Sequence, residues 1–218
     1  MKILLVTPMP PRADAPGAIP LVLHALLSGL RHRHEVTLVT ATGDEPGERE
    51  AVEELRRSGL EVAAVDRSQP EGSARHRRRL RLAATWSRGR YPWRTVWFAD
   101  PAVQDAIDRL TEAARFDVVA VEDNSMGIFR LPAEVPTVLT EHEVRPPREA
   151  ERHAAPAQPW IRRSLRAVDR HRWPAYQRSV WGRFDRIQVF TSRDAALAAE
   201  LAPEIAERLR VNPFGIAI

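Results

Sequence analysis

KILLVT, residues 2–7, is an almost unbroken apolar run that stops at Pro8 and Pro10. A run of that length without polar alternation predicts a strand covered on both faces, the kind found in parallel sheets. The loop PMPPRADAPGA (8–18) follows, and then Ile19, Leu23, Leu26, Leu27 and Leu30 recur at helical spacing as far as Arg31–His34. EVTLVT (35–40) reads as a second strand. Residues 47–58 alternate acids with bases around Val52 and Leu55, which predicts a solvated helix capped by Gly59, and LEVAAV (60–65) reads as a third strand. Strand, helix, strand, helix, strand is the opening of an α/β fold: a doubly wound, Rossmann-like parallel sheet with helices on both faces.

The alternation breaks at 72–98 and then resumes. Helix is predicted over 101–114, strand over 117–121 (DVVAV), a short helix over 125–130 and strand over 136–140 (PTVLT). A long helix over 158–184 carries Ile161, Leu165, Val168, Tyr176, Val180 and Phe184 at helical spacing, with a kink expected at Pro174. Strand 186–191 (RIQVFT), helix 193–200 and strand 208–212 complete the pattern, which reads as one α/β domain over residues 1–218.

Composition narrows the function. The chain has no cysteine, which excludes thiolate metal sites and disulfides, and it fits a cytoplasmic protein. The apolar run Ile3–Val6 is too short for a signal peptide, and nothing approaches eighteen consecutive apolar residues. The net charge is +4, and Lys2 is the only lysine. Arginine use this heavy reads as coding background, so position matters more than number. Residues 74–98, ARHRRRLRLAATWSRGRYPWRTVWF, lie within a stretch that has no acid from Gly72 to Ala99. Arg77, Arg78, Arg79 and Arg81 interleave there with Leu80, Leu82 and Trp86, a pattern that suits an anionic membrane surface or nucleic acid. The same pattern suits a solvated helix whose aromatics pack inward.

Parallel sheets bind ligands at the carboxyl ends of their strands. That rule selects the loops Pro8–Gly17, Glu122–Met126, Glu141–Arg148 and Asn212–Gly215. The first lacks G-x-G-x-x-G; Gly17 at the helix entry either faces a phosphate or is a plain N-cap. Glu141-His142-Glu143 ends the fifth strand, where alternation sets His142 opposite its neighbours. It is not a zinc motif, because H-E-x-x-H needs a second histidine at Pro146; His34-Glu35 fails likewise at Leu38, so no metal is expected. His142 suits a donor or base beside a reacting hydroxyl, or a loop cap. Glu122-Asp123-Asn124 suits sugar hydroxyls, or a cap for helix 125–130. Ser192 and Asp194 read as a helix cap, since no G-x-S-x-G surrounds them.

Taken in order, these pieces resemble the N-terminal domain of GT-B fold glycosyltransferases of the family-4 type, over essentially the whole chain. MKILLVTPMPP…GA…LVLHALLSGLRHRHEVTLVT resembles that family's opening, with His34-Glu35-Val36 at its second strand and Pro16-Gly17 where a double glycine is usual. FDVVAVED, VPTVLTEHEVRPP, FDRIQVFTSRDAALAAEL and RLRVNPFGIAI resemble its later strands, the last being the join to a second domain. The resemblance implies a single GT-B half with the donor-binding C-terminal domain absent. It implies sugar transfer from a nucleotide diphosphate sugar to an acceptor hydroxyl, retaining and metal-independent, with no cofactor beyond the donor substrate. It carries His142 to the reacting centre, Gly17 to the donor diphosphate, and Asp123, Asn124 and Glu141 to the acceptor. The acceptor would be a sugar, a lipid-linked molecule or a natural product, met in the cytoplasm or on the inner face of the membrane. The alternative is a non-catalytic module that binds anionic membrane or polymer through residues 74–98. Nucleic acid is not expected, because acids are spread through the rest of the chain.

Overall fold

The computed structural model describes residues 1–69, 72–145 and 160–213, with side chains given except at 160–164. The expectations for 146–148 and 214–218, for the first two residues of the long helix, and for the side chain of Ile161 lie outside the described residues.

Strand β1 (Lys2–Val6) is an interior strand, third in a seven-stranded, all-parallel sheet of order β3-β2-β1-β4-β5-β6-β7. It pairs with β2 (Glu35–Thr42) on one side and β4 (Val118–Glu122) on the other, so that Ile3 lies beside both Val36 and Val118. β3 (Glu61–Asp66) lies beyond β2; β5 (Thr137–Thr140), β6 (Arg186–Val189) and β7 (Leu209–Val211) lie beyond β4. The winding reverses between β1 and β4, which places a ligand crevice at their carboxyl ends.

The apolar run of β1 follows from burial on both faces. Ile3 and Leu5 pack with Leu27 of α1 (Ala18–Arg31), Leu38 and Leu60, and with Leu55 of α2 (Glu48–Arg57). Leu4 and Val6 point the other way. They join a larger core with Val103 and Ile107 of α5 (Pro101–Ala113), and with Val180 and Trp181 of α6 (Trp160–Trp181). Ala198 of α7 (Ser192–Leu201) belongs to the same core.

The basic–aromatic stretch forms two helices, α3 (Gly72–Arg88) and α4 (Trp93–Phe98). α3 buries no residue fully, whereas α4 buries Thr95, Val96 and Phe98. Asp169 of α6 ties both down, accepting from Trp86 Nε1 at 2.9 Å and from the Trp93 amide at 2.6 Å. Arg172 adds a bond from its guanidinium to the Trp86 carbonyl at 2.7 Å. The aromatics thus hold these helices to the body of the domain.

Two local expectations are corrected, and one element was not expected. The helix expected at 125–130 is a 3-10 turn over Asn124–Ile128. A Cβ at Gly127 would run into Val180 Cγ1, so glycine there lets the turn lie against α6. The cap of α7 is Thr191 rather than Ser192: Thr191 Oγ1 accepts from the Asp194 amide at 3.0 Å and donates to its carboxylate at 2.6 Å. A 3-10 helix over Pro203–Arg208 went unpredicted, because six residues are too few to show a period.

Candidate functional site

β4 and β5 end side by side, with Glu122 in register with Thr140. The residues just past them therefore converge. Glu122 accepts from Thr140 Oγ1 at 2.8 Å on one oxygen, and its other oxygen lies 2.9 Å from His142 Nε2. The His142 side chain is 7% exposed and that of Glu122 is 2% exposed, so the pair is shielded from water and the histidine cannot swing freely. The Phe190 ring packs against the imidazole in a T-shaped contact, with centroids 5.2 Å apart.

Asp123, next to this pair, has φ 73°, which makes it the one residue other than glycine with positive φ among the described residues. Such backbone is tolerated where the surroundings over-determine it. Asp123 Oδ1 accepts from the amide and hydroxyl of Ser125, starting the 3-10 turn, and Oδ2 accepts from Arg94 of α4 at 3.0 Å. Of the two roles expected of the cluster, Asp123 takes the cap, and it also anchors an arginine that the sequence did not point to.

Asn124 and Glu141, expected at the acceptor, turn inward instead. Asn124 Nδ2 donates to Glu141 Oε1 at 2.7 Å, and Trp181 Nε1 donates to Glu141 Oε2 at 2.8 Å. The Glu143 amide donates to Oε1 at 3.2 Å. Burial pushes the Glu141 carboxyl up to about 7, the Asp123 charge adds to the rise, and the Trp181 bond opposes it. Tyr176 donates to the Asn124 carbonyl at 2.8 Å, and its phenol is pushed up, first of all by burial. Gln177 donates to the Glu143 carbonyl at 3.0 Å and accepts from the Arg145 amide at 3.2 Å. α6 thus holds the loop after β5 from below, and Asn124 and Glu141 form the floor on which His142 stands.

Gly17 lies across β1 from this cluster. It is the N-cap of α1, with φ −107°, no side-chain cap and no acid in the first turn. Added Cβ atoms would meet only ordinary contact with Pro20 at 3.7 Å, so neither backbone conformation nor crowding by the protein requires glycine there. Gly17, Met9, Arg12, Glu45, Glu48 and Arg94 line a cleft of about 390 Å³. Arg94 therefore connects the Gly17 side to the His142 side.

Of the four arginines expected at an anionic surface, Arg77, Arg79 and Arg81 are exposed. Arg78 turns inward: it donates to the Arg67 carbonyl at 3.0 Å and stacks 5.1 Å from the centre of the Trp97 ring. Among the described residues, no three His, Asp or Glu side chains group as a metal site, and no helix is long and apolar enough to cross a membrane.

Sequence reasoning missed Glu122 as the partner of His142, and it missed Arg94 and Arg67 as inward-facing cations. The first was readable once β4 and β5 were set as neighbours. Arg94 was hidden inside a run that looked uniformly basic, and Arg67 stood outside it with nothing in its neighbours to mark it.

No family model and no curated protein matches the chain. Among solved structures it is similar to Arabidopsis thaliana UGT89C1 in its complex with UDP, at 10% sequence identity and a TM-score of 0.39. The likeness covers 100% of this chain and 50% of that one, so the chain spans about half the length of that structure.

Proposed function

We propose that this chain is the acceptor-binding half of a glycosyltransferase that moves a sugar from a nucleotide diphosphate sugar to an acceptor hydroxyl, retaining anomeric configuration and needing no metal. The supporting observation is the buried Glu122–His142 pair at the carboxyl edge of the two strands beside the switch point. With Nε2–H donating to Glu122 Oε2, His142 keeps a lone pair on Nδ1. Nδ1 then accepts from a sugar hydroxyl and orients it beside the anomeric carbon. The acceptor oxygen bonds to that carbon, the bond to the diphosphate breaks and the diphosphate leaves as the anion, and the acceptor proton passes to Nδ1 of His142. The uncapped start of α1 at Gly17 faces that diphosphate. Asp123 borders the acceptor, while Asn124 and Glu141 act on it through the loop they hold. A donor-binding domain outside these residues completes the site.

The test uses the intact protein from its source cells. It should release nucleotide diphosphate from a donor sugar when acceptor is present, with or without EDTA, and NMR of the product should show retention. His142→Ala should lower turnover about 100-fold with an unchanged circular dichroism spectrum. Equal turnover in the variant removes His142 from the reaction.

One observation favours a second reading, which concerns where the enzyme works. α3 buries no residue fully, and Leu80 is 71% exposed beside Arg77, Arg79 and Arg81. An exposed leucine among exposed cations suits peripheral docking on an anionic inner membrane face.

A further inference from the structure

Buried donors are almost always paired, so a local concentration of unpaired ones asks for an explanation. Among the described residues, three buried guanidinium nitrogens without a partner belong to two arginines, Nε and Nη1 of Arg67 and Nε of Arg94. Both arginines pack on one ring: Arg67 lies 4.4 Å and Arg94 5.6 Å from the centre of Phe98. Arg67 is 9% exposed and donates one bond, from Nη2 to the Pro8 carbonyl at 2.9 Å. Burial lowers its basicity to about 10, and Asp100 and Glu48 oppose that fall. Pro8 begins the loop that walls the cleft described above, and Arg94 is itself part of the wall.

The same cleft also carries carboxylates. Glu45 and Glu48 line it, Glu48 taking the Gly43 amide on one carboxylate oxygen, and burial raises the Glu48 carboxyl. Arg12 in the same cleft is already committed to Asp14 at 3.1 Å and to the Pro46 carbonyl at 2.7 Å. The cleft thus has two sides in its chemistry: the Arg94 guanidinium, with Arg67 packed behind it on Phe98, and carboxylates that accept from hydroxyls. A simple anion would use only the first side and a neutral sugar only the second.

We propose that this cleft binds a small polyol bearing one anionic group, with a phosphate or carboxylate at Arg94 backed by Arg67 and hydroxyls at Glu45 and Glu48. At about 390 Å³ the cleft suits a single sugar-sized unit. Under the glycosyl-transfer reading, on which this point alone rests, that polyol is the acceptor. Arg94 also holds Asp123, so seating the anion aligns the acceptor with the edge that carries His142.

Calorimetric titration of this chain with glucose 6-phosphate, glucuronate, glucose and pyrophosphate tests the site. NMR of the arginine Nε–H signals reads the same titrations residue by residue. Glucose 6-phosphate or glucuronate should bind at least tenfold more tightly than glucose, and than pyrophosphate, which has no hydroxyl-bearing ring. Whichever of the two binds more tightly distinguishes phosphate from carboxylate. The Arg94 and Arg67 Nε–H signals should move with the bound anion, and Arg94→Gln should erase the preference for the charged sugar. Glu48→Gln tests the carboxylate side and should weaken glucose 6-phosphate while leaving pyrophosphate unchanged. Equal binding of charged and neutral sugars, pyrophosphate binding as tight as the sugar phosphate, no binding at all, or shifts away from Arg67 and Arg94 would each overturn the proposal. The signals of the unmodified chain keep the test decisive should Arg94→Gln fail to fold. Binding without sugar transfer by the intact protein would leave the cleft standing and the transferase reading refuted; transfer indifferent to acceptor charge would do the reverse.

Discussion

Replacing Glu141 by glutamine should change how the stability of this domain depends on pH. In the folded chain the Glu141 carboxyl is 2% exposed and titrates at about 7, against an ordinary value of 4.5. Below pH 4.5 both folded and unfolded chains hold the proton, and the group makes no difference between them. Between 4.5 and about 7 the unfolded chain releases it while the folded chain keeps it, so stability falls as pH rises. The two values together correspond to a loss of about 3 kcal/mol, complete by about pH 8. Glutamine cannot titrate, so that slope disappears. Three donors converge on the carboxyl, from Asn124, Glu143 and Trp181, and a glutamine amide must turn its NH₂ toward one of them. That mismatch costs the variant roughly 1–3 kcal/mol at every pH and shifts its curve without tilting it. The assay is urea unfolding of both proteins at half-unit steps from about pH 4 to 8, plotted as their difference. The difference should fall steadily by about 3 kcal/mol toward neutral pH. A difference that stays level across this range refutes the claim that Glu141 is held in its neutral form by burial.

Two further outcomes follow from the packing and the surface. Gly127→Ala should destabilise the domain by about 1–3 kcal/mol in urea, because the new methyl meets Val180 and α6 must shift; a loss below about 0.5 kcal/mol would mean that the turn has room to move. The chain should sediment with vesicles containing phosphatidylglycerol and not with phosphatidylcholine alone, and replacing Arg77, Arg79 and Arg81 together by Ala should release it; sedimentation unchanged by the triple replacement would exclude α3 as the contact.

The sheet was legible because its strands are buried on both faces. Runs such as KILLV and EVTLV need no partner in the sequence to be recognised, and β1 to β7 all lie where continuous apolar runs predicted them. The helices facing solvent on one side were legible from their period. The site was legible only as a set of loops. His142 stood out by its place after β5, yet its partner Glu122 lies 20 residues away and becomes visible only when β4 and β5 are neighbours. Glu141 and His142 are adjacent and differ completely, one sealed against Trp181 40 residues later and the other held by Glu122. Nothing local in Glu-His-Glu separates them. The basic stretch misled in a different way, since charge runs do not show which arginines face water. Arg78 and Arg94 face inward because Trp97 and Phe98 offer them aromatic faces, a contact set by α4 packing and not by composition.

The central claim is sugar transfer, and the most direct measurement is mass spectrometry of acceptors after incubation. The intact protein, isolated from its source cells, is mixed with a panel of nucleotide diphosphate sugars and with anionic and neutral polyols. The account predicts a product heavier by one glycosyl unit from one donor, formed in step with free nucleotide diphosphate and lost in His142→Ala. A folded, intact protein that transfers no sugar from any donor to any acceptor would contradict it.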